Sequence, residues 1–157
     1  MSDYAVTLQH DIELPDSVTS AWLRGIARQA LRHQRQPTGS QVALVLTDDA
    51  TVAKLNAEYR HVDAPTDVLA FASQEGEPFV LPEAARRHLG DIVISLETAQ
   101  RQASERDHPV GHELALLIVH GCLHLLGYDH GTPEEKARMW SVQRDIMQEI
   151  LGDAYAP

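Results

Sequence analysis

At 157 residues the chain matches the usual size of one domain, and 43% apolar with 23% charged residues supplies one hydrophobic core, which excludes disorder or a fibrous repeat. Thirteen basic against 23 acidic residues leave a net charge of −10, so a broadly basic nucleic-acid surface is excluded and any RNA contact has to be local. The acidic start MSDYAVTLQHDIELPDS is no secretory signal, the apolar run from Leu114 to Val119 falls far short of the roughly 20 residues of a membrane span, and Cys122 stands alone, so the expectation is a cytoplasmic protein without a disulfide.

Residues 4 to 8 alternate as a strand. A helix follows, capped by Asp16 or Ser17, with Val18, Trp22, Ile26 and Ala30 as its apolar stripe and Pro37 with Gly39 as its stop. Its other face carries Arg24, Arg28, Arg32 and Arg35, a candidate local basic surface for phosphates. The run 41–47, QVALVLT, is almost wholly apolar and predicts a strand central in its sheet. Thr47 or Asp48 caps a short helix to about Tyr59, and the loop from Arg60 to Pro65 leads to a third strand, Asp67 to Ala72. Turn formers over 73–83 predict an exposed loop, followed by a helical turn over Ala84 to His88 that offers Arg86, Arg87 and His88 as a lesser basic group. Gly90 introduces a fourth strand, Asp91 to Ile94, and Ser95 caps a helix through about Arg106. Pro109 opens a helix whose apolar run from Leu114 to Leu126 predicts burial on nearly all sides, with Gly127 as its end. Thr132, Pro133 and Glu135 form a capping box with proline at the first helical position, opening a last helix to about Leu151 before Gly152. Strands interleaved with helices predict an α/β or α+β domain, one sheet flanked by helices, over residues 1–157.

The chemistry concentrates in His120-Gly-Cys-Leu-His124-Leu-Leu-Gly127-Tyr-Asp-His130. Four residues advance a helix by one turn plus about 40°, so His120 and His124 project from one face at a separation that suits two ligands of one ion. Gly127 can adopt the left-handed conformation that ends a helix, and the chain can then return His130 to the same point. Three imidazoles leave the fourth position of a zinc shell for water or substrate. A structural zinc site would add a protein ligand, usually cysteine, but Cys122 points about 200° round the helix from His120 and reads as core. By ligand type the metal is zinc, one per chain, although imidazole also accepts nickel, copper or iron.

The same spacing occurs in the metzincin peptidases, which carry a glutamate directly after the first histidine as general base. Here that position is Gly121, which counts against peptide hydrolysis.

Three blocks stand out: His120-Gly-x-x-His124-Leu-x-Gly127-Tyr128-Asp129-His130, then Asn56-x-x-Tyr59-Arg60 with Thr66-Asp67-Val68-Leu69-Ala70-Phe71, and Gly90-Asp91-Ile92 with Ser95. Together they resemble the YbeY family of bacterial single-strand-specific endoribonucleases, which act in ribosomal RNA maturation and ribosome quality control. After His130 many members continue with acidic residues, where this chain has Gly131-Thr132-Pro133.

The resemblance implies an α+β fold with one mixed four-stranded sheet and a zincin-like metal-binding helix. It also implies His120, His124 and His130 as zinc ligands, Arg60 and His120 as catalytic residues, and an essential arginine at Arg60. Single-stranded RNA, ribosomal RNA above all, is the implied substrate, and the ribosome or its proteins are possible partners; DNA and membranes are not expected. Chemistry supports Arg60 independently, because a guanidinium is a planar, permanently protonated fork for the phosphate oxygens on which charge develops. Two routes stay open: attack by water whose pKa the metal lowers toward about 7, or internal attack by the ribose 2′-hydroxyl. Asp129 is expected to orient a ligand by hydrogen bonding, while Asp67 and Asp91 read as structural or solvated at strand starts. The competing functions are a metallopeptidase and a non-catalytic ribosome assembly factor whose zinc only holds the fold.

Overall fold

A computed structural model describes residues 4–62, 66–73 and 88–152. Residues 63–65, residues 74–83 of the expected 73–83 loop and residues 84–87 of the expected helical turn, Arg86 and Arg87 among them, lie outside the described residues, while His88 belongs to a strand and not to a helical turn. In chain order the elements are β1 (Ala5–His10), α1 (Ser20–His33), β2 (Gln41–Thr47), α2 (Asp49–Arg60), β3 (Val68–Ala72), β4 (His88–Ser95), α3 (Leu96–Glu105), α4 (Val110–Leu125) and α5 (Pro133–Leu151). The sheet runs β1-β2-β4-β3, with β1, β2 and β4 mutually parallel and β3 antiparallel to β4 at the edge. This is the expected mixed four-stranded α+β architecture. The apolar strand β2 is central, as its composition predicts.

Strand alternation divides the apolar residues between two cores. Val42, Leu44 and Leu46 of β2 and Ile92 and Ile94 of β4 face the larger core with α1, α4 and α5, whereas Val93 joins Val52 and Leu69 beneath α2. Val45, Leu55 and Phe71 pack against that smaller cluster.

Three expectations shift. Helix α1 is capped by Thr19, whose side chain accepts from Trp22 N, rather than by Asp16 or Ser17. Its buried arc is Leu23, Ile26, Ala27, Ala30 and Leu31, while Trp22 stays 38% exposed, because the helix is wedged between β1, α4 and α5 and buries more than one narrow stripe. Strand β4 starts at His88, three residues before Asp91: a bulge sets Gln41 opposite His88 and Val42 opposite Gly90, and Gly90 takes φ 152 there. Asp91 therefore sits inside the strand, half exposed and 3.1 Å from His88 Nε2. The remaining caps match the sequence, with Asp48, Ser95 and Thr132 accepting from the backbone N–H of Thr51, Thr98 and Glu135.

Two polar clusters fix the helices that carry the site. Glu113, fully buried in the first turn of α4, accepts from Arg106 Nη1 at 2.7 Å and meets His108 Nε2 at 2.6 Å, an anion held at the positive end of the helix. Asp49, at the start of α2, accepts from Ser95 Oγ, from Thr98 Oγ1 at 2.6 Å and from Arg101 Nη1 at 2.9 Å, which ties α2 to α3. These bonds hold the Asp49 carboxyl below its ordinary pKa, the Ser95 hydroxyl contributing most.

Candidate metal centre

Glycine decides how closely α4 approaches the sheet. A Cβ on Gly121 would sit 2.8 Å from Ile92 Cγ2, and one on Gly90 would sit 2.7 Å from Leu125 Cδ2. The side-chain direction at 121 is therefore spent on β4. A glutamate there, as in the metzincins, would be driven into Ile92.

The end of α4 turns back as the sequence predicts. Gly127, at φ 98, donates its N–H to His124 O at 3.0 Å, and Tyr128 N donates to Leu123 O at 3.0 Å, the paired bonds of a Schellman cap. Asp129 Oδ1 then accepts the backbone N–H of His130 at 2.7 Å. Asp129 thus sets the loop that carries a histidine, and this bond does not involve an imidazole.

His120, His124 and His130 converge, with one ligand atom from each lying within 4.8 Å of the others. Two nitrogens bound to one tetrahedral ion at roughly 2.0–2.1 Å stand about 3.3 Å apart. Nε2 of His120 and Nε2 of His124 are 3.2 Å apart. The donor set, and the spacing of the His120–His124 pair on α4, fit a single divalent ion. Burial is the main cause that lowers the pKa of His120 and of His124, which favours the neutral, metal-ligating imidazole. Cys122 is fully buried, its thiol pushed up to about 12 by desolvation, and it belongs to the core.

Helix α5 supplies two residues that the sequence reading passed over. Gln143, 8% exposed, sets Oε1 2.9 Å from His120 Nδ1. Trp140 stands edge-on to His120 and His130, with ring centroids 5.7 and 5.6 Å away. A signal for Gln143 was present, since it interrupts the buried stripe Met139, Ile146 and Met147 of α5 with an amide.

The histidines line a cleft of about 800 Å³ whose opposite wall is β3. Arg60, the last residue of α2, lines it too, because His61 takes the left-handed φ of 60 and ends the helix there with its N–H on Asn56 O. The Arg60 guanidinium donates to Ala70 O at 2.6 Å and stacks over the Phe71 ring at 5.0 Å. Asp67 caps Val68 N at 2.8 Å and also faces the cleft, so it belongs to the site as well as to the strand start. The α1 arginines do not line the cleft: Arg28 Nε donates to Tyr4 O at 3.3 Å, and Arg35 lies past the helix at φ 54.

The profile of the family described as Endoribonuclease YbeY matches residues 5–151. An Endoribonuclease YbeY of Pelotomaculum thermopropionicum is 45% identical over 145 residues, covering 92% of this chain and 91% of the relative. Another, from a Roseiflexus species, is 41% identical and covers 96% of each chain. The solution structure of TM1509 from Thermotoga maritima superimposes with a TM-score of 0.60 at 24% identity, over 96% of this chain and 90% of that one, and shares the fold. The chain belongs to the YbeY endoribonuclease family.

Proposed function

We propose that this protein is a zinc-dependent, single-strand-specific endoribonuclease of ribosomal RNA maturation, acting as one catalytic domain in a reducing cytoplasm. The observation that carries the reading is the meeting of three imidazoles and one arginine in a single cleft. His120, His124 and His130 would hold the ion, leaving one position of a tetrahedral shell for water or substrate. When bound, zinc supplies Lewis acidity and a lowered water pKa.

The chain's own residues do the rest. The cleft, closed on one side by β3 and on the other by α4 and its loop, receives a single strand. The Arg60 guanidinium, braced by the Ala70 carbonyl and the Phe71 ring, presents a permanent cation to phosphate oxygens as they gain charge. Bracing keeps the cation in place before the reaction, so little reorganisation is needed when charge develops. Asp67 adds a carboxylate to the same cleft. Gly121 removes the glutamate on which the peptidases depend.

Incubation of the purified protein with single-stranded RNA and with casein, each with and without chelator, tests the reading. RNA cutting that chelator stops and His124→Ala abolishes is the expected result, with circular dichroism confirming that the variant folds. Casein loss would select a peptidase instead. Loss of neither substrate, by protein shown to contain metal, would leave a non-catalytic assembly factor.

A further inference from the structure

We infer that Gln143 is a positioning residue: its side-chain carbonyl holds the His120 ring in the one tautomer that can ligate through Nε2. This rests on the metal-site reading above. Oε1 of Gln143 lies 2.9 Å from His120 Nδ1. An amide oxygen only accepts, so Nδ1 carries the proton and Nε2 keeps its lone pair. Nε2 is the atom that lies 3.2 Å from His124 Nε2, at the separation expected of two ligands on one ion.

The surroundings make that bond directional. Gln143 is almost fully buried on α5, in a stripe with Met139, Ile146 and Met147, so packing restricts the amide to few rotamers. One helical turn earlier, Trp140 stands at 90° to the His120 ring and at 80° to the His130 ring. The two side chains bracket His120, with Trp140 fixing the plane and Gln143 fixing the proton. Helix α5 is thus the back wall of the metal centre, although it contributes no ligand. Outer hydrogen bonds of this kind orient a ligating imidazole, and their loss typically lowers metal affinity 10–100-fold.

Two substitutions separate this role from packing. Gln143→Met fills similar volume without an acceptor and suits the apolar stripe. Gln143→Glu keeps an acceptor and adds charge. The first measurement uses metal-free protein: two-bond proton–nitrogen NMR of the His120 ring. The Nδ1–H form is expected in the wild type and in Gln143→Glu, and the Nε2–H form should emerge in Gln143→Met. The second is zinc affinity by competition with a chromophoric chelator, where Gln143→Met should bind about 10–100-fold more weakly and Gln143→Glu at least as tightly as the wild type. Melting of the three metal-free proteins controls for folding; a structural role would move stability, and this role moves tautomer and affinity instead. An unchanged tautomer in folded Gln143→Met, or zinc affinity equal to that of the wild type, overturns the inference. If the wild type itself binds no zinc, the functional reading fails, while the NMR result still decides the role of Gln143.

Discussion

Replacing Gly121 with alanine tests the closeness of α4 to the sheet, on which the placement of the histidines depends. The new Cβ would lie 2.8, 3.1 and 3.2 Å from Cγ2, Cδ1 and Cγ1 of Ile92, a fully buried residue on a central strand. The favourable carbon–carbon separation is about 3.5–4.0 Å, and a β-branched residue in a close-packed core has little room to move. Overpacking of this kind costs about 1–3 kcal/mol, while alanine regains about 1 kcal/mol of helix propensity over glycine. The net expectation is a loss of about 0–2 kcal/mol, or up to roughly 8 °C in melting temperature for a chain of this length. Urea unfolding of the metal-free protein measures it. A double-mutant cycle with Ile92→Ala isolates the contact, since Gly121→Ala should become neutral or stabilising once the isoleucine is gone. Because Ile92→Ala alone costs about 2–5 kcal/mol, the cycle is run with a stabilising osmolyte in every arm. A cycle with no coupling, or Gly121→Ala more stable than the parent by the full propensity gain of about 1 kcal/mol, refutes the steric account.

Arg60→Lys keeps the charge and loses the planar fork, so RNA cleavage should fall by about 10²–10³ in kcat, with metal content unchanged by elemental analysis. Near-parental activity would remove the guanidinium from the mechanism. Asp49 gives a pH signature: its folded pKa lies below the ordinary 3.8, so its contribution to stability is present above that value and is lost as pH falls through the folded pKa. Asp49→Asn should therefore flatten the acid limb of stability against pH below about 4, read by urea unfolding, and an unaltered limb would contradict the Ser95, Thr98 and Arg101 network.

Much of this was legible because local rules agreed with the fold. The Thr132 box, the Ser95 cap and the Gly127 turn are settled within a few residues of sequence, and so is the pairing of His120 with His124. What escaped notice depends on contacts between distant segments. Trp22 has the size of a core residue, yet the packing of α4 and α5 on α1 favours Leu23, Ala27 and Leu31. The bulge that extends β4 back to His88 exists only as a pairing with Gln41. Asp129 is next to His130 and invited the role of ligand partner; the imidazole partner found is Gln143, 23 residues from His120 and delivered by a separate helix.

The net charge of −10 bears on how RNA is held, and salt dependence measures it. Single-strand binding weakens with salt at a slope of about −0.7 per phosphate neutralised. Among the described residues, Arg60 is the only lysine or arginine lining the cleft, where Asp67 and Asp129 add negative charge. Metal-free protein should therefore bind a short single-stranded RNA weakly, with a slope near −0.7 by fluorescence anisotropy, and charge elsewhere on the surface should repel rather than steer. Affinity gained on adding zinc would come from the ion in the cleft. A slope steeper than about −3 would instead mean several phosphate contacts at once. That result would move the binding surface from the Arg60 cleft to clustered arginines, such as those of α1, and Arg60 would lose its place as the main phosphate contact.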